Sequence, residues 1–292
     1  MLKHEITAIL VSFNKLPSKE DIEKIFNGGI NNICVVNNNI NFSEESFLSS
    51  HNNIYFLHNK NIGGLAGAYN KALDFIYENI KSSTHIIFLD DDSDFTALKK
   101  FIDSQYTQKF LNNNERMVVS PRYIETATQM LGRCVELRRF YYKVFLPTKK
   151  NLVKVSFVIN SFSIWPIKVI LEIGEFDTRL GIDHIDTDFC MRAKALNVPI
   201  YINNEIVFNH TIGKRIFYKF LWLNLQSSGH HYFRKEIIIR NTRILIFRYG
   251  FKEIGFLFLC IVRICYEYLS VLLAEKNKTK KIFFMTKGLF TN

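Results

Sequence analysis

Three consecutive aspartates, Asp90, Asp91 and Asp92, close the apolar run in HIIFLDDDS. Carboxylates so close repel one another, and they are tolerated either in open water or around a divalent cation that also meets phosphate oxygens. A bare triplet is a weak signal. Its place at the end of an apolar strand makes it a candidate metal site, because open α/β sheets bind ligands beyond the carboxyl ends of their strands. A second strand end, NHTIG, carries His210, followed by Gly213. An isolated His is more often a satisfied core or surface residue, but a neutral imidazole is a common cation ligand and could complete a site begun by Asp92. The segment GEFDTRLGIDHIDTDFCMRA adds Asp177, Asp183, Asp186 and Asp188. A helix beginning near Asp183 puts Asp183 and Asp186 on one face and Asp188 four residues ahead of Arg192, the spacing of an ion pair. Asp186 is therefore the candidate general base, a group that must stand within hydrogen-bond reach of an attacking hydroxyl. NKNIGGLAGAYNKAL opens a helix with Gly63, Gly64 and Gly67. Glycines allow close backbone approach, and free amides at a helix N-terminus favour an anion such as a diphosphate. The spacing is not a dinucleotide fingerprint, and a tight turn with small residues for packing accounts for it equally well.

The elements that must position these groups are short. Residues 6–13, 32–37, 53–57 and 84–89 are apolar, β-branched runs bounded by polar residues, which read as buried strands. Helical stretches at 18–28, 64–80 and 95–111 alternate with them, so a mostly parallel sheet flanked by helices is expected. Ser12 and Asn14, Asn37 and Asn38, and Asp90 to Asp92 then converge at one edge. Residues 121–154 read as an irregular basic segment; strands resume at 155–164 and 199–208, with a helix over 183–197. The abundance of Asn reads as compositional bias.

The 292 residues carry 38 Lys+Arg against 27 Asp+Glu, with 48% hydrophobic residues, which excludes disorder and collagen-like repetition. Residues 214–292 hold 15 Lys+Arg and 4 Asp+Glu, so the whole net charge of +11 sits in the tail. There Ile254, Leu257, Phe258, Ile261, Ile264, Cys265, Tyr268, Leu269 and Leu272 recur at helical spacing. Arg263 and Glu267 interrupt the run, which argues for a helix lying on an anionic membrane rather than crossing it. Lys276, Lys278, Lys280, Lys281 and Lys287 among Phe283, Phe284 and Phe290 support the same expectation. Five scattered cysteines without a CxxC pair signal neither a disulfide framework nor a cysteine zinc site and fit a reducing compartment. The N-terminal apolar run is too short for a signal peptide's core.

Taken in order, VSFN, VVNNN, NIGGLAGAYN, FLDDDS, INSFSIW, GEFDTRLGIDHIDTDFCMRA and NHTIG resemble family 2 inverting glycosyltransferases, most of all the bacterial rhamnosyltransferase and galactofuranosyltransferase branch. The resemblance covers about residues 5–250. It implies a GT-A-type, Rossmann-like sheet over 1–213, an acceptor region at about 121–213 and a helical basic and aromatic tail over 214–292. It further implies a UDP- or dTDP-sugar donor and single displacement at the anomeric carbon. On this pattern Asp90 and Asp92 are the DXD carboxylates, Asp90, Asp92 and His210 hold Mn2+ or Mg2+, and Asp186 is the catalytic base. Ser12, Asn14, Asn37, Asn38, Asn61, Gly63, Gly64, Asp90 and Asp91 face the nucleotide sugar. Trp165, Asp183 and the basic segment 133–154 are candidates for binding the acceptor, a hydroxyl of a growing, lipid-linked cell-surface polysaccharide. Three departures stand out: Asn37 where Asp is frequent, Asp91 in the middle of the DXD motif as in the galactofuranosyl branch, and Asn160-Ser161 where Ser-Gly is usual. The location implied is the cytoplasmic face of the cell membrane. Two other readings are a non-catalytic sugar-nucleotide binder and a basic nucleic-acid-binding protein; against the latter, no nucleic-acid module is present and the cations alternate with apolar residues.

Overall fold

The computed structural model describes residues 4–40, 51–126, 128–149, 151–211, 216–220 and 223–291. Gly213 and Lys150 lie outside them. The chain runs β1 (Ile6–Ser12), α1 (Lys19–Asn27), β2 (Asn32–Asn37), β3 (Ile54–His58), α2 (Gly64–Asn79), β4 (His85–Asp90), α3 (Leu98–Asp103), α4 (Gln105–Asn113) and β5 (Val118–Glu125). It continues through β6 (Cys134–Leu137), β7 (Tyr142–Phe145), β8 (Leu152–Val155), β9 (Ile164–Pro166), α5 (Ile167–Ile173), α6 (Ile185–Ala195) and β10 (Ile200–His210). The last elements are β11 (Ile216–Phe220), β12 (Leu223–Ser227), α7 (Tyr232–Leu245), α8 (Ile254–Ala274) and α9 (Lys278–Gly288).

Two compact units result. The first comprises Met1–Ile124, Met130–Cys134 and Leu146–His210. Its eight-stranded sheet has the order β3-β2-β1-β4-β9-β5-β10-β8. The half holding β3, β2, β1 and β4 is parallel, and every residue of β1 and β2 is buried, as expected of strands covered on both faces. The β4–β9, β9–β5 and β10–β8 pairs continue the sheet in antiparallel register. Ile6, Leu10, Ile33, Leu89, Phe101 and Phe110 are among its buried core; each such side chain contributes about 1.5–3 kcal/mol relative to exposure.

Local chemistry explains the boundaries. Ser18 caps α1, its Oγ accepting from the Asp21 amide at 3.1 Å while Asp21 accepts from the Ser18 amide at 3.0 Å. The helix expected over 95–111 is broken at Ser104, whose extended backbone (ψ 143°) ends α3 and whose hydroxyl caps α4. The strand expected over 155–164 is also divided. β8 stops at Val155 and β9 begins at Ile164, because a turn at Asn160–Ser163 with Phe162 at φ 63° intervenes. The segment expected to be irregular contains β5, the β6–β7 hairpin and β8.

The second unit comprises Glu125–Gln129, Val135–Phe145 and Thr211–Asn292. Helices α7, α8 and α9 share a buried ionic network. Lys235 Nζ donates to Glu267 Oε2 at 2.6 Å and lies 2.8 Å from Glu275 Oε1, and Lys281 pairs with Glu275. Burial pushes the Glu275 carboxyl up, but the hydrogen bonds from Lys235 and Lys281 outweigh it and hold the group below its ordinary range. The β6–β7 hairpin packs on the start of α8: the Gly255 amide donates to Arg139 O at 2.9 Å, and a Cβ at Gly255 would stand 2.3 Å from Arg138 O.

Candidate functional site

Strand β4 ends in a tight reversal. The Ser93 amide donates to Asp90 O and the Asp90 amide to Ser93 Oγ, both at 3.1 Å. The reversal sends the three carboxylates to different partners. Asp90 and Asp92 meet His210 from the end of β10, and the ligand atoms of all three lie within 4.8 Å of one another. Asn209 Nδ2, donating to Asp94 Oδ2 at 2.9 Å, ties that end of β10 to the loop after β4. Phe208 stacks on Phe162 at 4.4 Å and anchors the same strand end in the core.

Burial, then repulsion from Asp92 and Asp91, pushes the Asp90 carboxyl up to about 7, against smaller opposing hydrogen bonds with Ser161 and Tyr69. Asp92 is also raised, chiefly by burial, with His210 opposing. Two carboxylates and an imidazole form a donor set that suits Mn2+ or Mg2+, and the uncompensated negative charge is what a cation would relieve.

Asp186 stands in the first turn of α6, where its Oδ1 accepts from the Thr187 amide at 2.7 Å. Its charge and that of Asp90 act on one group, the buried Tyr69 hydroxyl, which burial first and these two carboxylates next push well above the ordinary phenol range. Asn70, one residue on, fastens the loop that leads into α6: its Nδ2 donates to Phe176 O at 2.9 Å and its Oδ1 accepts from the Phe176 amide at 2.8 Å. Asp188 forms the expected ion pair with Arg192 at 2.9 Å. Asp183 is half-buried just before α6, and Asp177 is paired with Arg179 at 2.8 Å.

Several residues expected to face the ligands also make contacts within the protein. Asp91 Oδ2 accepts from the amides of Phe13, Asn14 and Lys15 at 2.9, 2.7 and 3.3 Å, so its carboxylate fixes the loop after β1. Asn14 contributes its amide to that clamp. Trp165, expected at the acceptor, is fully buried, donates from Nε1 to Ser163 Oγ at 2.8 Å and packs on Phe189 at 4.9 Å. Core packing removes it from any acceptor. Asn38 spends its side chain inside the protein, its Nδ2 donating to Asn61 Oδ1 and Gly64 O, both at 3.3 Å, and its Oδ1 accepting from Asn59 at 2.8 Å. Asn37 is buried, its Oδ1 accepting from the Asn39 amide at 2.9 Å. Ser12 is buried at the end of β1. Asn38, Asn59 and Asn61 thus form a hydrogen-bonded network.

The glycine loop is likewise committed to packing. Gly64 donates its amide to Asn61 O at 3.2 Å, and Ala66 donates to Gly181 O at 3.0 Å, so these two amides are not offered to an anion. Gly63 and Gly64 adopt left-handed φ of 67° and 65°, and a Cβ at Gly64 would stand 2.7 Å from Gly181 O. The residues 133–154 expected at the acceptor fall partly in the second unit, which holds Val135–Phe145. Sequence reasoning passed over Tyr69 and Asn70, whose roles depend on contacts across the fold. Ser93, adjacent to the triplet, was the one neighbour a local reading could have found; its Oγ lies 3.1 Å from Ser161 Oγ.

No protein-family model matches the chain. Among curated proteins it is similar to "dTDP-rhamnosyl transferase RfbF" of Shigella flexneri, 22% identical over 99% of this chain and 94% of that protein. Among solved structures it is similar to GalNAc-T7 with UDP, GalNAc and Mn2+, with a TM-score of 0.53 and 10% identity over 81% of this chain. The chain spans just under half of that structure, 47%. The sequence likeness, near full length, is thus to a bacterial rhamnosyltransferase, and the likeness to the solved structure is one of fold, GT-A.

Proposed function

We propose that this protein is an inverting, metal-dependent glycosyltransferase that moves a sugar from a dTDP- or UDP-linked donor to a hydroxyl of a growing, lipid-linked polysaccharide at the cytoplasmic face of the membrane. The observation that carries the reading is the meeting of Asp90, Asp92 and His210 at the ends of β4 and β10. The name of the curated relative favours a dTDP-linked donor and rhamnose.

Asp90, Asp92 and His210 would hold Mn2+ or Mg2+, whose positive charge offsets negative charge on a departing diphosphate. Asp186 supplies the base. Its Oδ1 is oriented by the Thr187 amide, and the carboxylate takes the proton of the acceptor hydroxyl as that oxygen bonds to the anomeric carbon. The bond from that carbon to the diphosphate oxygen breaks on the opposite face, and its electron pair leaves with the nucleoside diphosphate. The Asp91 clamp and the asparagine network hold the strand-end loops in place before any ligand arrives.

Replacement Asp186→Asn should abolish transfer while leaving nucleoside diphosphate binding within about twofold of wild type. Turnover at the wild-type rate would remove Asp186 from the chemistry. Thermal shift with dTDP- and UDP-sugars in the presence of Mn2+ selects the donor, since a ligand that binds only the native state raises its apparent stability. Release of free nucleoside diphosphate only when acceptor is present separates an enzyme from a sugar-nucleotide binder.

A further inference from the structure

In the second unit α8 is apolar on its inner and its outer side alike. Its inward side carries Phe256, Cys260 and Val271 together with Ser270 and the ion-paired Glu267, next to the fully buried Lys235. Its exposed side carries Phe258, Ile261, Val262, Tyr266, Leu269 and Leu272, which at 100° per residue form one continuous stripe. By length and composition the 21-residue helix could cross a bilayer. Its contacts oppose that. The Gly255 backbone is docked on the β6–β7 hairpin, the Tyr266 hydroxyl bonds the backbone of Gln226, and Glu267 is held by Lys235. Only the outer stripe is available to lipid.

Charge is sorted on this unit as well. Its described carboxylates, Glu125, Glu136, Glu236, Glu253, Glu267 and Glu275, are all buried or half-buried. Exposed cations bracket the stripe, with Lys252 before α8 and Lys276 after it. The hairpin tip that packs on the start of α8 exposes Arg138, which is paired with Glu136 of the same hairpin, and Arg139, Phe140 and Tyr141. We infer that the outer stripe of α8 and the Arg138–Tyr141 hairpin tip form one face that lies in the plane of an anionic membrane surface, the apolar side chains entering the interface and the flanking cations meeting lipid phosphates. A greasy stripe framed by cations, in a unit whose described carboxylates are buried or half-buried, is complementary to anionic lipid. This face extends beyond the lysine-rich tail and gives the hairpin a lipid-binding role in place of acceptor recognition.

Flotation of the full chain with vesicles tests the inference. Binding is expected to phosphatidylcholine vesicles containing about one third phosphatidylglycerol and to fall at least tenfold on pure phosphatidylcholine. Each cation near an anionic surface is worth about fivefold in partition, so Arg138→Glu with Arg139→Glu should lower binding by well over tenfold. Val262→Glu with Leu269→Glu should do the same while the circular dichroism spectrum, the Tm and transfer to a soluble acceptor stay at wild-type values, since both side chains are exposed. Flotation of either double variant like the wild type overturns the inference. So does a wild type that stays with the unbound fraction, including one that proves to be a dimer dissociated by the α8 substitutions. Retention in the membrane after alkaline carbonate extraction would show a crossing helix and overturn the in-plane placement.

Discussion

The replacement Asp91→Ala separates positioning from metal binding within a single aspartate triplet. Its Oδ2 accepts three backbone N–H groups from Phe13, Asn14 and Lys15. Hydrogen bonds to a charged group contribute about 1.5–3 kcal/mol each, but these amides sit on an exposed loop and water can replace the carboxylate. About 1 kcal/mol each is the appropriate discount, giving about 2–3 kcal/mol of loop order, or roughly 30- to 150-fold in the ratio of ordered to disordered loop. If the loop after β1 must be ordered to meet the donor, nucleoside diphosphate affinity falls by up to that factor. Mn2+ affinity measured without nucleotide should change by less than about threefold, because Asp90, Asp92 and His210 remain. Asp92→Ala should do the reverse to metal, removing a ligand atom outright. Asp91→Asn keeps an acceptor oxygen and loses the charge, so it should recover roughly half of the lost free energy. Calorimetric titration of dTDP or UDP, with Mn2+ binding followed by electron paramagnetic resonance, provides the two readouts. Wild-type nucleotide affinity in Asp91→Ala, or a loss of metal equal to that of Asp92→Ala, would refute the assignment.

Other outcomes follow from packing and charge. Gly67→Ala gains up to about 1 kcal/mol of helix propensity, yet its Cβ would stand 2.0 Å from Ile62 O, a backbone atom that no rotamer change can move. A net loss of at least about 2 kcal/mol is expected from urea denaturation. Lys235→Met leaves Glu267 without its buried cation and Glu275 with Lys281 alone, so the second unit should lose about 3 kcal/mol, seen as a lower-temperature calorimetric transition. Asp90 has a folded pKa of about 7, above its unfolded value, so the metal-free protein holds a proton there that the unfolded chain releases. That contribution is fully present below about pH 4 and is lost as the pH rises through 7. A cation competes with the same proton, and the rise in Tm produced by Mn2+ should be larger at pH 7.5 than at pH 5.5. Equal shifts at the two pH values would exclude Asp90 from the metal site.

The parallel half of the sheet was legible because fully buried strands are continuous apolar runs bounded by polar residues, and β1, β2 and β4 have that form. The acidic triplet was legible because its position at a strand end is a property of local sequence. What could not be read is which carboxylate turns which way. Asp90, Asp91 and Asp92 are chemically identical, and only the Asp90–Ser93 reversal sends the middle one to the amides of the β1 loop. Trp165 illustrates the opposite case: an aromatic side chain can serve as a sugar platform, but here it stands between Ile164 and Pro166, and pairing of β9 with β4 turns its ring into the core beside Phe189. The 95–111 helix failed for a local reason, since the hydroxyl of Ser104 stabilises a break that apolar periodicity does not register.

Helix α2 shows why the candidate base and the acidic cluster belong to one functional reading although they lie far apart in sequence. Its first turn accepts the 178–181 loop so closely that a Cβ at Gly63 would stand 2.9 Å from Thr178 Cγ2 and one at Gly64 would collide with Gly181 O. Its next turn offers Tyr69 to Asp90 and, through Asn70, two buried hydrogen bonds to Phe176. The chain entering α6 therefore has little freedom relative to the end of β4, because displacing it would break the Asn70 pair in the core, where an unsatisfied amide costs about 1–3 kcal/mol. A base must hold its position against a reacting hydroxyl to within a fraction of an ångström. The glycines that open α2 serve that precision by letting the 178–181 loop touch the helix backbone.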